Sequence, residues 1–230
     1  MESVILPWML LLSGSKHHRQ PLLRTMKYPF IALVFAFLFL ASFTPPRLKP
    51  VKLGSGVTVS LPADFQVMPD EVIATKYPAP RKPLGAFTSP NGQADFIVSE
   101  RPSTFQPDDL ALLQQFYRSS LTSKYTQVSI IREEVKEINR RKYLILEFTS
   151  TMRDEERRSN KLAPIRRYTL VQYTIVPHSA QDKAKAPQTR DKDNVSGRLL
   201  VFTFTTPIDL QAAWQETARK IMQSIKVHQP

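Results

Sequence analysis

The 230-residue chain contains no cysteine. That absence excludes a disulfide framework, a thiolate metal site, a cysteine nucleophile and a lipid-modified N-terminal cysteine. Histidine is scarce. His17, His18, His178 and His228 fall in expected tail or loop positions, and no cluster has metal-ligand spacing. Glycine is scarce too, six residues against nineteen prolines. There is no Gly-rich phosphate loop, no G-x-S-x-G elbow and no H-E-x-x-H. A Ser-His-Asp triad would need His178, beside a charged loop, or His228, near the C-terminus. Neither place can exclude water. The carboxylate pairs Glu133-Glu134 and Asp154-Glu155-Glu156 read as a solvated strand edge and a loop. The expectation is a protein without catalytic residues, metal or cofactor, with a hydrolase of unrecognised site as the disfavoured opposite.

Negative charge is in short supply. The chain carries 32 basic and 20 acidic residues, a net of +12. Lys16, Arg19, Arg24 and Lys27 against Glu2 give +3 in the first 44 residues, which leaves 28 basic against 19 acidic, or +9, for the rest. Such a domain is drawn to anionic surfaces, whether phospholipid head groups, acidic proteins or polyanions. The same charge also serves solubility. The basic residues do not form one block with interleaved aromatics, so nucleic acid is an unexpected partner.

Long apolar runs are confined to the N-terminal part. "MKYPFIALVFAFLFLASFTPPR" begins at Met26 with a lysine, continues as an apolar run from Phe30 to Ala41, and ends in small and polar residues before Pro45-Pro46. This is the order of a secretory signal. The run is short for a membrane span of ~20 residues, but Tyr28 to Pro46 is uncharged throughout. Residues 26–44 therefore read as a signal peptide or a membrane anchor. Cleavage after Ala41 or Ser42 would leave bulky Phe39 or Leu40 at the third position back. Residues 1–25 hold a second apolar patch, "VILPWMLLL", broken by Pro7. They read as a non-native upstream extension or a disordered segment, with Met26 as the natural start. The expected address is export, to a periplasm or anchored in the cell envelope.

Residues 45–56 read as a Pro/Gly linker, and 57–227 as one domain. "VTVSL" (Val57–Leu61) alternates like a half-buried strand, and "FQVM" (Phe65–Met68) reads as its hairpin partner across Pro62-Ala63-Asp64. Tyr77 to Pro83 is a Pro-rich loop. Asn91-Gly92 predicts a type I′ turn between strands at Ala86–Ser89 and Ala94–Glu100. Pro107-Asp108-Asp109 opens a helix whose buried face is Leu110, Leu113, Tyr117 and Leu121. Four strands follow. "QVSIIREEVKEI" and "KYLILEFTSTM" flank a turn at Asn139-Arg140-Arg141, and Leu144, Leu146 and Phe148 share a face opposite Tyr143, Ile145 and Glu147. "RRYTLVQYTIV" (Arg166–Val176) reads as central and "RLLVFTFTT" (Arg198–Thr206) pairs with it. Residues 177–197 between them are charged and poor in large apolar side chains, and read as a disordered insertion.

After Thr206-Pro207, a helix places Leu210, Trp214, Thr217, Ala218, Ile221 and Ile225 on its buried side. Thr206 is the expected cap, and the Gln/Arg/Lys face (Gln211, Gln215, Glu216, Arg219, Lys220, Gln223) is left for partners. The order gives an α+β fold, a mostly antiparallel sheet flanked by helices.

"SLPADF" (Ser60–Phe65) and "FTFTTPIDLQAAWQETARKIMQSIKV" (Phe202–Val227) resemble the first hairpin and the closing strand, helix and Ser-Ile-x-Val finish of the PsbP-like superfamily. Its members include photosystem extrinsic proteins, DcrB-type bacterial envelope proteins and a Ran-binding import factor. The resemblance covers Val57 to Val227 and implies a PsbP-like α/β sandwich. The chain departs from lipoprotein members in lacking a cysteine after its apolar segment, and it carries a long charged insertion. The residues that support thylakoid and Ran-related roles are not recognisable in it.

Two stretches are candidates for binding, because loops carry most binding residues. One is the basic turn Arg140, Arg141 and Lys142. The other is the loop Arg153–Arg167, with Arg157, Arg158, Lys161, Arg166 and Arg167. The leading expectation is a non-catalytic envelope module that contacts a protein complex or an anionic membrane surface. The alternative is a small-ligand carrier with a groove between sheet and helices.

Overall fold

Strands are the dominant element of the computed structural model, which describes residues 47–54, 56–152, 164–177 and 197–228. The elements are β1 (Leu48–Lys52), β2 (Val57–Pro62), β3 (Gln66–Val67), α1 (Asp70–Lys76), β4 (Gly85–Thr88), β5 (Asp95–Ser103), α2 (Leu110–Lys124), β6 (Gln127–Ile138), β7 (Arg141–Met152), β8 (Ile165–Pro177) and β9 (Gly197–Pro207). A 3₁₀ turn (Ile208–Leu210), α3 (Gln211–Gln223) and β10 (Lys226–Val227) complete the chain. The strands form two antiparallel sheets. One has three strands in the order β1-β2-β10, and the other seven in the order β3-β4-β5-β9-β8-β7-β6. The fold is an α+β sandwich.

Period-two alternation divides the apolar side chains of the large sheet between its two faces. Tyr143 and Ile145 of β7 enter the main core, with Tyr168, Leu170, Phe96, Phe202 and Phe204 from neighbouring strands. Val57, Val59 and Leu61 of β2, and Ala218, Ile221, Met222 and Ile225 of the C-terminal segment, cover it. Leu144, Leu146 and Phe148 point the other way, beneath Leu110 and Leu113 of α2, with Tyr117 and Leu121 packed at the margin. A smaller cluster of Met68, Ile73, Ala86 and Ile97 lies under α1. Strand β8 is buried on both faces through most of its length, as its apolar composition requires. It lies next to β9, the fourth of the seven strands.

Several local expectations change. Phe65–Met68 is not the hairpin partner of β2. Gln66–Val67 pairs with Phe87–Thr88 of β4, so the Pro62-Ala63-Asp64 turn hands the chain from the small sheet to the large one. The partners of β2 are β10 and β1, and β1 lies inside the stretch expected as linker. Pro50 is tolerated there because β1 is an edge strand. At Asn91-Gly92 only Gly92 has a positive φ, 68°. The Gly92 N–H donates to the Ser89 carbonyl at 2.8 Å. Pro90 at the second position and Gly92 at the fourth suit an ordinary type I turn, where type I′ needs two left-handed residues. The type I′ geometry occurs instead at the β6–β7 hairpin, where Asn139 and Arg140 have φ 52° and 63°.

The C-terminal segment is locked in place. Trp214 meets Phe65 edge-on at 5.6 Å and Phe204 at 5.9 Å between ring centroids. It is half-buried, while Ile221 and Ala218 are fully buried. The Ser224 hydroxyl accepts from the Ser60 N–H at 2.8 Å and donates to the Ile221 carbonyl at 2.7 Å. Ile225 is buried, and Lys226-Val227 adds a strand to β2. The Ser-Ile-x-Val finish is thus a helix end stitched to the small sheet. Thr206 does not cap a helix. It is buried in β9 with no partner for its hydroxyl, and the 3₁₀ turn starts after Pro207. The segments 1–46, 153–163 and 178–196 lie outside the described residues. They include the 26–44 apolar run, Asp154-Glu155-Glu156, and all of the expected insertion except Pro177 and Gly197, which face each other in the β8–β9 ladder.

Candidate functional site: a basic turn with its pocket

The sequence candidates separate. Arg141 starts β7, whereas Arg166 lies opposite Thr151, ten residues further along that strand. At ~3.3 Å per residue the two basic groups sit about 33 Å apart, at opposite ends of the sheet. Arg166 is exposed and Arg167 half-buried. Arg167 lies near the Tyr77 hydroxyl, which donates to Asp95 at 2.7 Å. Arg157, Arg158 and Lys161 lie outside the described residues.

Arg140, Arg141 and Lys142 come together around a pocket of about 200 Å³, lined also by Pro107, Asp108, Thr174 and Ile175. Bonds from the side chains of Asn139, Arg141 and Thr174 hold the turn. The Asn139 side-chain amide donates to the Ile225 carbonyl at 2.7 Å, tying the turn to the C-terminal segment. Arg141 donates to the Ile175 carbonyl at 3.4 Å, and the Thr174 hydroxyl donates to the Lys142 carbonyl at 3.0 Å. Lys142 pairs with Asp108 at 3.3 Å, but both side chains are well exposed, so the pair is weak. Arg140 is exposed and makes no hydrogen bond or ion pair with the described residues. Beneath the turn, burial pushes the Tyr143 hydroxyl up to about 12, against a smaller opposing pull from Arg141.

Other ionisable groups are already committed. Glu147 of β7 has no exposed side-chain surface. It accepts from Gln215 at 2.7 Å, from Tyr168 at 3.0 Å, and from Arg219 at 2.9 and 3.2 Å. Arg132 Nε lies 3.1 Å from its second oxygen, though that N–H is not aimed to form a hydrogen bond. Burial pushes the Glu147 carboxyl up, but the bonds from Arg219, Gln215 and Tyr168 outweigh it and hold it below the usual carboxylate range. Arg219 is pushed up by its bonds to Glu147, and Tyr168 by burial and by the Glu147 charge. A carboxylate so held is a fixed anion, unsuited to proton transfer near neutrality.

The expected free face of α3 is therefore partly occupied, because Gln215 and Arg219 turn inward to Glu147. Arg132 reaches the same carboxylate through a β-bulge. Ile130 faces Phe148, yet Arg132, two residues on, faces Glu147, so Ile131 is the extra residue. Glu133 points to the opposite face, where it accepts from Gln114 at 2.8 Å and pairs with Arg118 at 3.3 Å. Glu133 and Glu134 are thus on opposite faces and do not form an acid/base pair. Asp95, also buried, accepts from Thr88 at 2.6 Å and from Tyr77, and pairs with Lys76 at 3.2 Å. Glu147 and Asp95 were not among the sequence candidates. The available signal was an acidic residue at a core-facing position of an otherwise apolar strand.

No protein-family model matches the sequence, and no curated protein matches it significantly. Solved structures do resemble it. The solution structure of cyanobacterial PsbP from Synechocystis sp. PCC 6803 superposes with a TM-score of 0.50 at 14% identity, over 81% of this chain and 95% of that one. LpqN of Mycobacterium tuberculosis, described as involved in cell envelope biogenesis, gives 0.49 at 13%, over 81% and 93%. The Ran-binding protein Mog1p of Saccharomyces cerevisiae gives 0.43 at 11%, over 79% and 96%. The likeness to PsbP is one of fold, and it agrees with the antiparallel sandwich and its C-terminal helix.

Proposed function

We propose that this PsbP-like domain is a non-catalytic accessory module of the cell envelope, and that its Arg140-Arg141-Lys142 turn contacts an anionic partner, either a protein complex or the membrane surface. One observation carries the reading. The basic turn is held rigid by bonds to the C-terminal segment and β8, while Arg140 stays outside every ion pair among the described residues. Because the backbone of the turn is already ordered, binding would cost the freedom of the cationic side chains but not that of the hairpin, and this is what preorganisation contributes to affinity. The saturated environments of Glu147 and Asp95 favour binding over chemistry. The envelope address rests on the signal-like segment 26–44. Among the described residues no helix is long and apolar enough to cross a membrane.

The test is crosslinking in the native cell envelope with partner identification, together with co-sedimentation on anionic liposomes. Capture of a partner at the β6–β7 turn, or sedimentation that weakens as salt rises, supports the reading. Failure of both overturns it.

A further inference from the structure

The pocket at the β6–β7 turn has a more specific chemistry. Its lining holds three cations, Arg140, Arg141 and Lys142, against one anion, Asp108, a surplus of two positive charges. Its volume of about 200 Å³ falls below the ~300–1,000 Å³ of sites that enclose drug-sized molecules. A single compact dianion fits both numbers. Guanidinium groups match phosphate oxygens in pairs, and such charge-assisted bonds are roughly twice as strong as neutral ones.

The backbone adds a second observation. Arg140 occupies the left-handed region at φ 63°. Glycine is the residue that adopts this conformation without penalty, and the second centre of a type I′ turn is where it is favoured. An arginine there makes the hairpin less stable than a glycine would. Strain of this kind is retained where a side chain is needed, yet Arg140 makes no contact that would serve the fold. Its neighbours are fixed: Asn139 on the C-terminal segment, Arg141 on the Ile175 carbonyl, and the Lys142 carbonyl on Thr174. Lys142 is held only by an exposed pair with Asp108, which an incoming dianion can replace.

We propose that this pocket binds a phosphate monoester dianion or the similar pyrophosphate anion, with Arg140 as the principal ligand and Arg141 and Lys142 beside it. The inference rests on the anionic-partner reading of the turn and names the group it recognises. That group has two sources, a lipid head group ending in a phosphate monoester or a free phosphorylated solute.

The purified full-length chain is titrated with pyrophosphate by calorimetry. It is also sedimented with phosphatidylcholine vesicles doped with phosphatidic acid or, at matched charge, phosphatidylglycerol. The variants are Arg140→Gly and, at the far end of the sheet, Arg166→Gln. The expected result is saturable pyrophosphate binding, weakened about tenfold or more by Arg140→Gly and unchanged by Arg166→Gln. Because glycine suits the turn, Arg140→Gly should melt at the same or a higher temperature, so its loss of binding is not unfolding. A preference for phosphatidic acid that Arg140→Gly abolishes assigns the lipid source. Pyrophosphate binding without that preference assigns the soluble one. Absence of pyrophosphate binding, or equal weakening by both variants, overturns the proposal. A chain that binds no pyrophosphate but still crosslinks to an envelope partner removes the phosphate site and leaves the module reading standing. Pyrophosphate binding with neither partner capture nor sedimentation does the reverse.

Discussion

Replacing Arg219 with leucine tests whether the buried carboxylate is held as described. The substitution removes two hydrogen bonds to Glu147, at 2.9 and 3.2 Å, and its nearest full countercharge. Glu147 has no exposed side-chain surface and cannot recruit water. Breaking a buried pair on one side costs about 3–5 kcal/mol. For a domain of this size that lowers the melting temperature by about 6–20 °C. Glu147→Leu removes the buried charge itself. Arg132 and Arg219 are each about a quarter to a third exposed and keep Glu134 and Glu216 within reach, so they can turn to water. What remains is the orphaned Tyr168 hydroxyl and the half-buried Gln215 amide, about 1–3 kcal/mol. Arg219→Leu should therefore be the worse variant. The pH dependence follows from the depressed carboxyl. In the native protein its contribution is complete above the unfolded value of about 4.3 and is lost as pH falls through the lower folded value. With Arg219 gone, burial leaves the carboxyl easier to protonate, so the deficit of Arg219→Leu should begin to shrink above the ordinary carboxylate range and go on shrinking as pH falls through the depressed native value. Denaturation followed by circular dichroism between pH 3 and 8 reads both effects. Equal costs for the two variants, or a deficit independent of pH, would refute the reasoning.

Trp214→Ala should cost about 3 kcal/mol, the lower end for a large aromatic, because the ring is only half-buried against Phe65 and Phe204; chemical denaturation measures it. Asn139→Gly keeps the left-handed turn but loses the bond to the Ile225 carbonyl, so amide exchange at residues 138–142 should quicken with a stability loss of about 1 kcal/mol. Burial raises the hydroxyls of Tyr77, Tyr168 and Tyr173, aided by Asp95 for the first and Glu147 for the second. The folded state thus keeps protons that the unfolded chain releases, and stability should fall as pH rises above about 10, visible in melts monitored by fluorescence. Deleting Ile131 should remove the bulge while keeping Arg132 opposite Glu147, so the melting temperature should change little. The straightened edge, with Ile130 and Val135 exposed, should self-associate more in light scattering, and an unchanged scattering profile would count against the bulge as edge protection.

How much was legible in the sequence follows the range of each interaction. Alternation assigned Leu144, Leu146 and Phe148 to one core and Tyr143 and Ile145 to the other, because face is a local property of a strand. The Leu110/Leu113/Tyr117/Leu121 face was legible for the same reason. The partner of β2 was not. Pairing with β1 and β10 joins residues near 50, 60 and 226, and nothing local distinguishes that choice from a hairpin with Gln66-Val67. Helix α1 was missed because seven residues with one buried side chain, Ile73, carry little periodicity. At the candidate site, the basic turn stood out as composition, but its pocket required Pro107-Asp108 and Thr174-Ile175 from distant elements. The Glu147 cluster was hidden by the Ile131 bulge, which shifts Arg132 to face it.

The C-terminal segment connects these parts. Its apolar face closes the main core, Ser224 stitches the helix end to β2, and Gln215 and Arg219 neutralise Glu147. The Ile225 carbonyl then fixes Asn139, and with it the orientation of the basic turn. A polar helix face that looks available in sequence is thus partly spent on a buried charge. The turn it steadies keeps Arg140 outside every ion pair among the described residues, in a backbone conformation that would favour glycine. That exposed, unpaired arginine is what the proposed anionic contact would use, with the C-terminal helix as the support of the turn.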